Sequence, residues 1–599
     1  MKHSTVLLRH RNRVTGVLCM SAALLLAACS GGDVVESTTS AVVQTTTTVA
    51  QPEEVPADDA ASSDASTTTS SAVPTTTLPI PDTAVMQLAF QFAADAYWPD
   101  GTKIGVDDVR CTVDALRSTP GSVGVEAYDA VIDVREGRAE DLVEVYFDRF
   151  VGNYRVLFDR LLQASAIESC SDVTAAFDDE APAGWGVFSV EAWNTAQMML
   201  VPSHSGDEES ESFGFERLVV VPVGSSAVEV DLLRSGQIDV IIPDVSLETI
   251  EGLSDPNLGF EQFDLGRHED MYLRSTGVFS DPLFREAFWL SVDREALVDE
   301  VYAPLLGSTD VWNCGPVTFN EWCSGQTPFA GAFNADAAAQ MLTEAGWTFD
   351  GDSYWQDETG EPHEITWLVA GARARQDQLV DALVPMMQDM GFRLKVESVG
   401  SEFEFSDRLA AGDWDLAVYA QSGLADVGLF AAAHSCAEFS TAEREGWNVN
   451  GFCDAESDAL LDRALTVRNE DDQVADIQAV LGRMAKTHHV LPLVRLPSTV
   501  AWRPDTVGPA EAVSAIGESG LLSIEQLTAL EDLDGDGTIF IGVEEWAACT
   551  NPVLSCGADG WFGDGIGALA VPGIWTTDDG VTITHSSLVR QAPFVTELR

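Results

Sequence analysis

The sequence predicts an α/β fold with mostly parallel sheets, and three observations carry that prediction. Segments of strand periodicity alternate with amphipathic segments throughout the folded part. Glycines close several of the amphipathic segments, as they close helices: Gly236, Gly346 and Gly391. Hydrophobic residues make up 45% of the 599-residue chain, with 15 tryptophans, which is enough apolar material for large cores.

The elements follow in chain order. Lys2, Arg9, Arg11 and Arg13 precede the apolar run VTGVLCMSAALLLAAC, the layout of a secretory signal over residues 1–28. Residues 29–82 are rich in Thr, Ser, Ala and Pro and bury too little to order themselves, which reads as an extended stalk. A strand is expected over Val85–Phe92, then a turn at Pro99-Asp100-Gly101 and a helix from about Val106, with Asp107 and Asp108 facing its positive end. RLVVVPVGSSAVEVDLLRSGQIDVII reads as strand, helix capped by Ser225 or Ser226, and strand, a βαβ unit. FNADAAAQMLTEAGW is a short helix, HEITWLVA a strand, and RQDQLVDALVPMMQDMGFRLKVESVG another helix and strand. Near the end, Ile539, Ile541 and Val543 alternate after the turn-rich DLDGDG, so a strand runs into a Cys/Asn/Pro loop where a chain would be expected to finish rather than begin.

Charge and motifs exclude several functions. Lys+Arg 32 against Asp+Glu 96 gives a formal net charge of −64, which repels nucleic-acid backbones and suits a solvated, exported surface. No GxSxG elbow, P-loop or HExxH motif is present, so no enzymatic activity and no cofactor are expected. His488-His489 precedes the apolar VLPLV and reads as structural. Asp532, Asp534 and Asp536 have the spacing of a calcium loop's first ligands, but position twelve is Val543, which favours a solvated turn. Apart from Cys19 and Cys29, eight cysteines remain. Sequence proximity suggests Cys314 with Cys323, Cys436 with Cys453 and Cys549 with Cys556, leaving Cys111 with Cys170; other connectivities stay open, and scattered histidines argue against zinc.

Two resemblances add to this. LAAC, with Cys29 followed by Ser30, resembles the bacterial lipoprotein box, which implies lipidation of Cys29 and a membrane tether; an ordinary signal peptide is the alternative. WPDGTKIGVDDVRCTVDALRS, GWGVFSVEAW, VDLLRSGQIDVI, FSDPLFREAFWLSVDREALVDEVY, AAAQMLTEAGW, GDWDLAVYA, NGFCDAESDALLDRA and VLPLV follow in the order of the large solute-binding proteins of ABC importers, the peptide/nickel class (extracellular solute-binding family 5). That family's opening strand and loop are missing from the front, and IFIGVEEWAACTNPVLSC with VPGIWTTDDGVTITHSSLVRQAPFV resembles them at the back. The chain therefore resembles a circularly permuted member, with debris from a tandem duplication as the alternative.

The resemblance implies a periplasmic-binding-protein-like fold of type II, two lobes closing about a hinge and delivering a small solute such as an oligopeptide to an ABC permease and its ATPase subunits; a non-transport surface interaction protein on the same fold, or a receptor for an oligosaccharide or metal chelate, is the alternative. A monomer is expected. The implied organisation is 83–271 first part of lobe I, 272–489 lobe II, 490–515 return to lobe I, 516–538 a linker joining ancestral termini, and 539–599 the displaced opening segment of lobe I. In peptide-binding relatives the strand equivalent to DLAVYAQSGLAD carries a Trp and then an Asp that pairs with the peptide ammonium. Here Gln421 stands for the Trp and Leu424 for the Asp, with Asp426 two residues on, and Ser275 replaces the usual Asn. Ligand candidates are therefore Tyr419, Gln421 and Asp426, with Glu545, Trp546 and Asn551 from the displaced loop; packing or rim positions are the alternative for each.

Overall fold

A computed structural model describes residues 79–598 except 123–126, 178–187, 195, 203–212, 265, 318–321, 332, 350–353, 358, 361, 372, 401, 422–426, 442–445, 520–526, 528, 545–548, 555–570, 572 and 578–582. Cys29 and the signal lie outside these residues, as do Cys556 and the ligand candidates Asp426, Glu545 and Trp546. No helix among the described residues is long and apolar enough to cross a membrane.

In chain order the strands are β1 (Met86–Gln91), β2 (Val131–Glu136), β3 (Leu142–Phe147), β4 (Phe188–Asn194), β5 (Gln197–Pro202), β6 (Arg217–Pro222), β7 (Val240–Ile241), β8 (Gly259–Phe263), β9 (His268–Leu273), β10 (Glu364–Ala370), β11 (Arg393–Val399), β12 (Leu416–Gln421), β13 (Val490–Arg495), β14 (Ser498–Trp502), β15 (Val507–Gly508), β16 (Glu531–Asp532), β17 (Thr538–Val543), β18 (Trp575–Thr577), β19 (Ile583–His585) and β20 (Phe594–Glu597). They build two lobes. Lobe I holds a seven-stranded sheet, order β4-β5-β6-β17-β7-β14-β8, and an antiparallel four-stranded sheet, β2-β3-β1-β20; lobe II holds a five-stranded sheet, β11-β10-β12-β9-β13. The expectation of mostly parallel sheets is not met: among these strands parallel pairing is confined to β6-β17-β7 and β11-β10-β12, because the β4-β5 hairpin and the strands that carry the chain between sheets, β8, β9, β13 and β14, pair antiparallel around those centres. The chain changes sheet between Phe263 and His268 and again between Arg495 and Ser498. The expected lobe II span, 272–489, begins inside β9 and stops just short of β13.

The βαβ unit read from the sequence is present and interrupted. β6 leads through the helix Ser226–Ser235, N-capped by Ser225 and ended by Gly236 at φ +74°, into β7. Between these two strands, and parallel to both, lies β17 from the far end of the chain, pairing Ile539 with Leu218 and Ile541 with both Val220 and Val240. A strand with neighbours on either side and both faces covered must be apolar on both: Ile539, Ile541 and Val543 are buried on one face, and partly buried Phe540 and buried Gly542 lie on the other. The same C-terminal segment completes the second sheet of lobe I. β20 runs antiparallel to β1 in the register Met86 with Glu597, and the Leu598 amide donates to the Val85 carbonyl at 2.9 Å.

Cystine links join Cys111 to Cys170, Cys314 to Cys323 and Cys436 to Cys453, as proximity suggested. Cys549 is also disulfide-bonded. The DLDGDG segment forms an exposed turn whose carboxylates cap their own backbone: Asp532 accepts from the Gly535 and Gly537 amides at 2.9 and 2.7 Å, and Asp536 accepts from Thr538 at 2.8 Å. Oxygens of Asp532, Asp534 and Asp536 come within 4.8 Å of one another, close enough to share a cation, with Asp534 and Asp536 exposed. His488 takes the left-handed conformation that ends the helix Glu470–Thr487, and His489 is buried beside it.

Candidate functional site

Parallel sheets present ligands to the loops at the carboxyl ends of their strands. In lobe I those ends are Glu544 after β17, the Ser225 cap after β6 and Asp244 after β7. In lobe II they are Gly371 to Arg375 after β10 and Gln421 at the end of β12. β9 runs against β12, so its first residues, His268, Glu269 and Asp270, stand at that same edge, opposite Gln421, Ala420 and Tyr419. A small cavity of ≈ 190 Å³ lies where the two edges meet, walled by Ser225, Ser226, Asp244 and Ser246 from lobe I and by Arg373 and Arg375 from lobe II.

Arg375 joins the two walls. Its side chain is 1% exposed, and its guanidinium donates to Asp244, to the Val245 carbonyl at 3.0 Å, and to both oxygens of Glu269 at 3.1 and 3.2 Å. Glu269 also accepts from Gln376 at 2.9 Å and from the Tyr302 hydroxyl at 2.6 Å, so its lone pairs are fully used. Burial alone would raise the Asp244 carboxyl, but the Arg375 and Arg267 charges outweigh it and hold it at about 2. Burial opposes the Arg375 charge too, and Asp244 and Glu269 keep that group protonated.

Behind the lobe I wall the balance reverses. Glu544 accepts from the Ser226 hydroxyl and, at 3.3 Å, from the Asp244 amide. Glu229, on the inner face of the helix Ser226–Ser235, is wholly buried, and neither of its oxygens has a hydrogen-bond partner among the described residues. Burial, with the neighbouring charges of Glu544 and Asp244, pushes its carboxyl well above the usual range; burial and Asp244 likewise raise Glu544.

The lobe II candidates form a second polar row on the opposite face of β9. Gln421 donates its amide to the Tyr272 hydroxyl, which donates to Asp270 at 3.0 Å; the His268 Nδ1 lies 2.7 Å from the same Asp270 oxygen. Tyr419 stacks on Tyr272 with ring centroids 4.8 Å apart. Tyr419 and Gln421 are therefore together at the end of β12, and neither lines the cavity. Ser275 is elsewhere, its hydroxyl donating to the Gly451 carbonyl at 2.8 Å. Asn551 is 4% exposed and spends its amide on the Val173 and Thr174 carbonyls at 2.7 and 3.3 Å and its oxygen on the Val553 amide, fastening the loop after β17 to lobe I.

Sequence reading missed Glu229, Asp244, Glu269, Arg375 and Glu544. A usable signal existed for two of them: Glu229 stands one turn before Leu233 on the helix's apolar face, and Glu544 directly follows β17.

Comparison with known proteins places this geometry. No curated protein sequence matches the chain. Among solved structures it is similar to the periplasmic EDTA-binding protein EppA (19% identity, 70% of this chain and 80% of that one, TM-score 0.61). It is similar also to NikZ from Campylobacter jejuni in complex with Ni(L-His) (17%, 72% and 85%, 0.60) and to the oligopeptide-binding protein AppA from Bacillus subtilis in complex with a nonapeptide (16%, 71% and 84%, 0.58). Residues 86–428 match the profile described as bacterial extracellular solute-binding proteins, family 5 Middle. With more than half of its length inside that match, the chain belongs to the extracellular solute-binding proteins of family 5, a family of binding proteins rather than enzymes.

Proposed function

We propose that this protein is the lipid-anchored receptor of an ABC importer, holding a short peptide or similarly small polar solute between its lobes and handing it to a membrane permease. The observation that carries the reading is the cavity walled by both lobes and bridged by the Arg375–Asp244 pair: a solute there would touch both lobes at once, as hinge closure requires. Its ≈ 190 Å³ is below the roughly 300–1,000 Å³ of pockets for drug-sized ligands, which supports a small solute over a long peptide. The relatives bind EDTA, a nickel–histidine chelate and a nonapeptide, so a non-peptide solute fits the same site. The signal layout and Cys29 support export and tethering.

Circular permutation is part of this reading. The displaced segment supplies an inner strand of one lobe I sheet, and β20 lies against β1 as if a hairpin had been opened between Leu598 and Val85. Debris from a duplication would have no reason to fill either place.

Native mass spectrometry of the protein purified from an oxidising compartment tests the function. A bound small solute released on denaturation is expected; a folded protein that carries no solute and shifts its melting temperature with none of a panel of peptides, opines and metal chelates would overturn it.

A further inference from the structure

The carboxylates around the cavity outnumber the cations that could answer them. Glu229, Asp244, Glu248, Glu269, Asp377 and Glu544 face Arg267, Arg373 and Arg375. Arg375 is consumed by Asp244 Oδ2 and Glu269. Among the described residues Asp244 Oδ1 accepts no hydrogen bond; Arg267 lies 3.6 Å from it and the Arg373 charge also acts on Asp244, which lines the cavity and is only 9% exposed. Glu544 stands next to it, and Glu229, with two unpartnered oxygens at full burial, is close enough to feel both charges. Buried carboxylates persist when paired, and a half-answered cluster of this kind is complementary to a positive group brought from outside.

We propose that the solute carries an ammonium or guanidinium group and that this group docks on the lobe I wall, against Asp244 Oδ1, with Glu544 and Glu229 behind it. The inference rests on the solute-binding reading above and sharpens it to a cationic ligand class. It also moves recognition of positive charge to the lobe opposite β12, where Gln421 and Leu424 occupy the positions that the family resemblance gave to ammonium recognition. A charge-assisted pair to a desolvated carboxylate supplies strong discrimination, since a neutral isostere leaves the carboxylate unanswered.

The test is calorimetric titration of the exported full-length chain with matched probes: L-arginine against L-citrulline, L-lysine against N6-acetyl-L-lysine, and triglycine against N-acetyltriglycine. At least one cationic member should bind ten-fold or more tightly than its neutral partner. Glu544→Gln and Glu229→Gln, which keep side-chain volume and leave the Arg375 pair intact, should each reduce that preference several-fold. Equal binding of both members of every pair overturns the inference while leaving the solute receptor standing, as does a preference that survives both substitutions. Absence of binding by every probe, in protein that melts cooperatively and carries no co-purifying solute, overturns the receptor reading and this inference with it.

Discussion

Replacing Arg375 with Met removes the one wholly buried cation that spans the lobes and leaves the volume nearly filled. The side chain makes a bond to Asp244, one to the Val245 carbonyl and two to Glu269, and its loss strands two buried carboxylates. Breaking a buried pair from one side costs about 3–5 kcal/mol. If the whole unit of roughly 520 residues melts together, an unfolding entropy of about 2.1 cal/mol/K per residue turns 4 kcal/mol into a fall of about 4 °C. If lobe II, roughly 230 residues, melts by itself, the fall is about 8 °C. Differential scanning calorimetry reads either. The loss also has a pH signature. The Asp244 carboxyl is held at about 2 in the fold, below its unfolded value near 3.9, so the stability it contributes is present above that unfolded value and disappears as pH falls through about 2. The deficit of Arg375→Met should therefore be complete at pH 7 and shrink toward pH 2, and adding Asp244→Asn and Glu269→Gln to it should restore most of the melting temperature. A fall below about 1 °C at pH 7, or a deficit that grows in acid, would refute the argument.

Four further outcomes follow from the same physics. Glu229→Gln should stabilise the protein by about 1 kcal/mol or more at pH 8, because a carboxyl whose folded value is raised costs stability as pH climbs through that value; denaturant melts at pH 5 and pH 8 should differ less in the variant than in the parent. His434 and His489 are pushed by burial down to about 3, so the fold keeps them neutral and the stability they contribute, full above their unfolded value near 6.5, is lost as pH falls. In the Glu229→Gln background the drop between pH 6.5 and 5.5 should be about 2 kcal/mol, with His434→Gln removing about half of it. Among the bridges, loop length predicts that losing Cys111–Cys170 (59 residues apart) costs about 4 kcal/mol, and Cys436–Cys453 (17) and Cys314–Cys323 (9) about 3 kcal/mol each, the last slightly less, an order that urea midpoints of the double Ser variants can check. Deleting 537–599 takes Ile539, Ile541 and Val543 out of the lobe I core, roughly 5–9 kcal/mol of burial, which is comparable to the whole stability of a domain; circular dichroism should show no cooperative melt, whereas a chain restarted at Gly537 with Leu598 joined to Val85 through Asn-Gly should melt within about 5 °C of the parent.

Local chemistry made much of the fold readable. Ser225 and Gly236 mark the ends of one helix because a cap needs an accepting hydroxyl and a left-handed stop needs no Cβ. Alternation at Ile539, Ile541 and Val543 reported a strand with one face in the core. Neither signal carries partner information. That β17 should slot between the two strands of an uninterrupted βαβ pattern three hundred residues earlier is decided by which sheet has a vacancy, and only the order of family blocks hinted at one. Likewise β13 belongs to lobe II through its pairing with β9, which its apolar composition leaves unspecified.

The site was less readable for a related reason. Its walls come from residues between 225 and 249 and from 373–377, with Glu269 and Glu544 bonded behind them, and the property that singles them out is the imbalance of charge once they are together. In a chain with 96 acidic residues an isolated Asp or Glu carries no information, so Asp244 was invisible in the sequence. Arg375 was hidden in the opposite way, as one Arg of two in GARARQDQ at a helix start, where a cation opposes the helix dipole and calls for compensation. That compensation is the evidence. An arginine is held at such a position only by carboxylates from two other segments, Glu269 within its own lobe and Asp244 across from lobe I, and the bond to Asp244 ties the two walls of the cavity together.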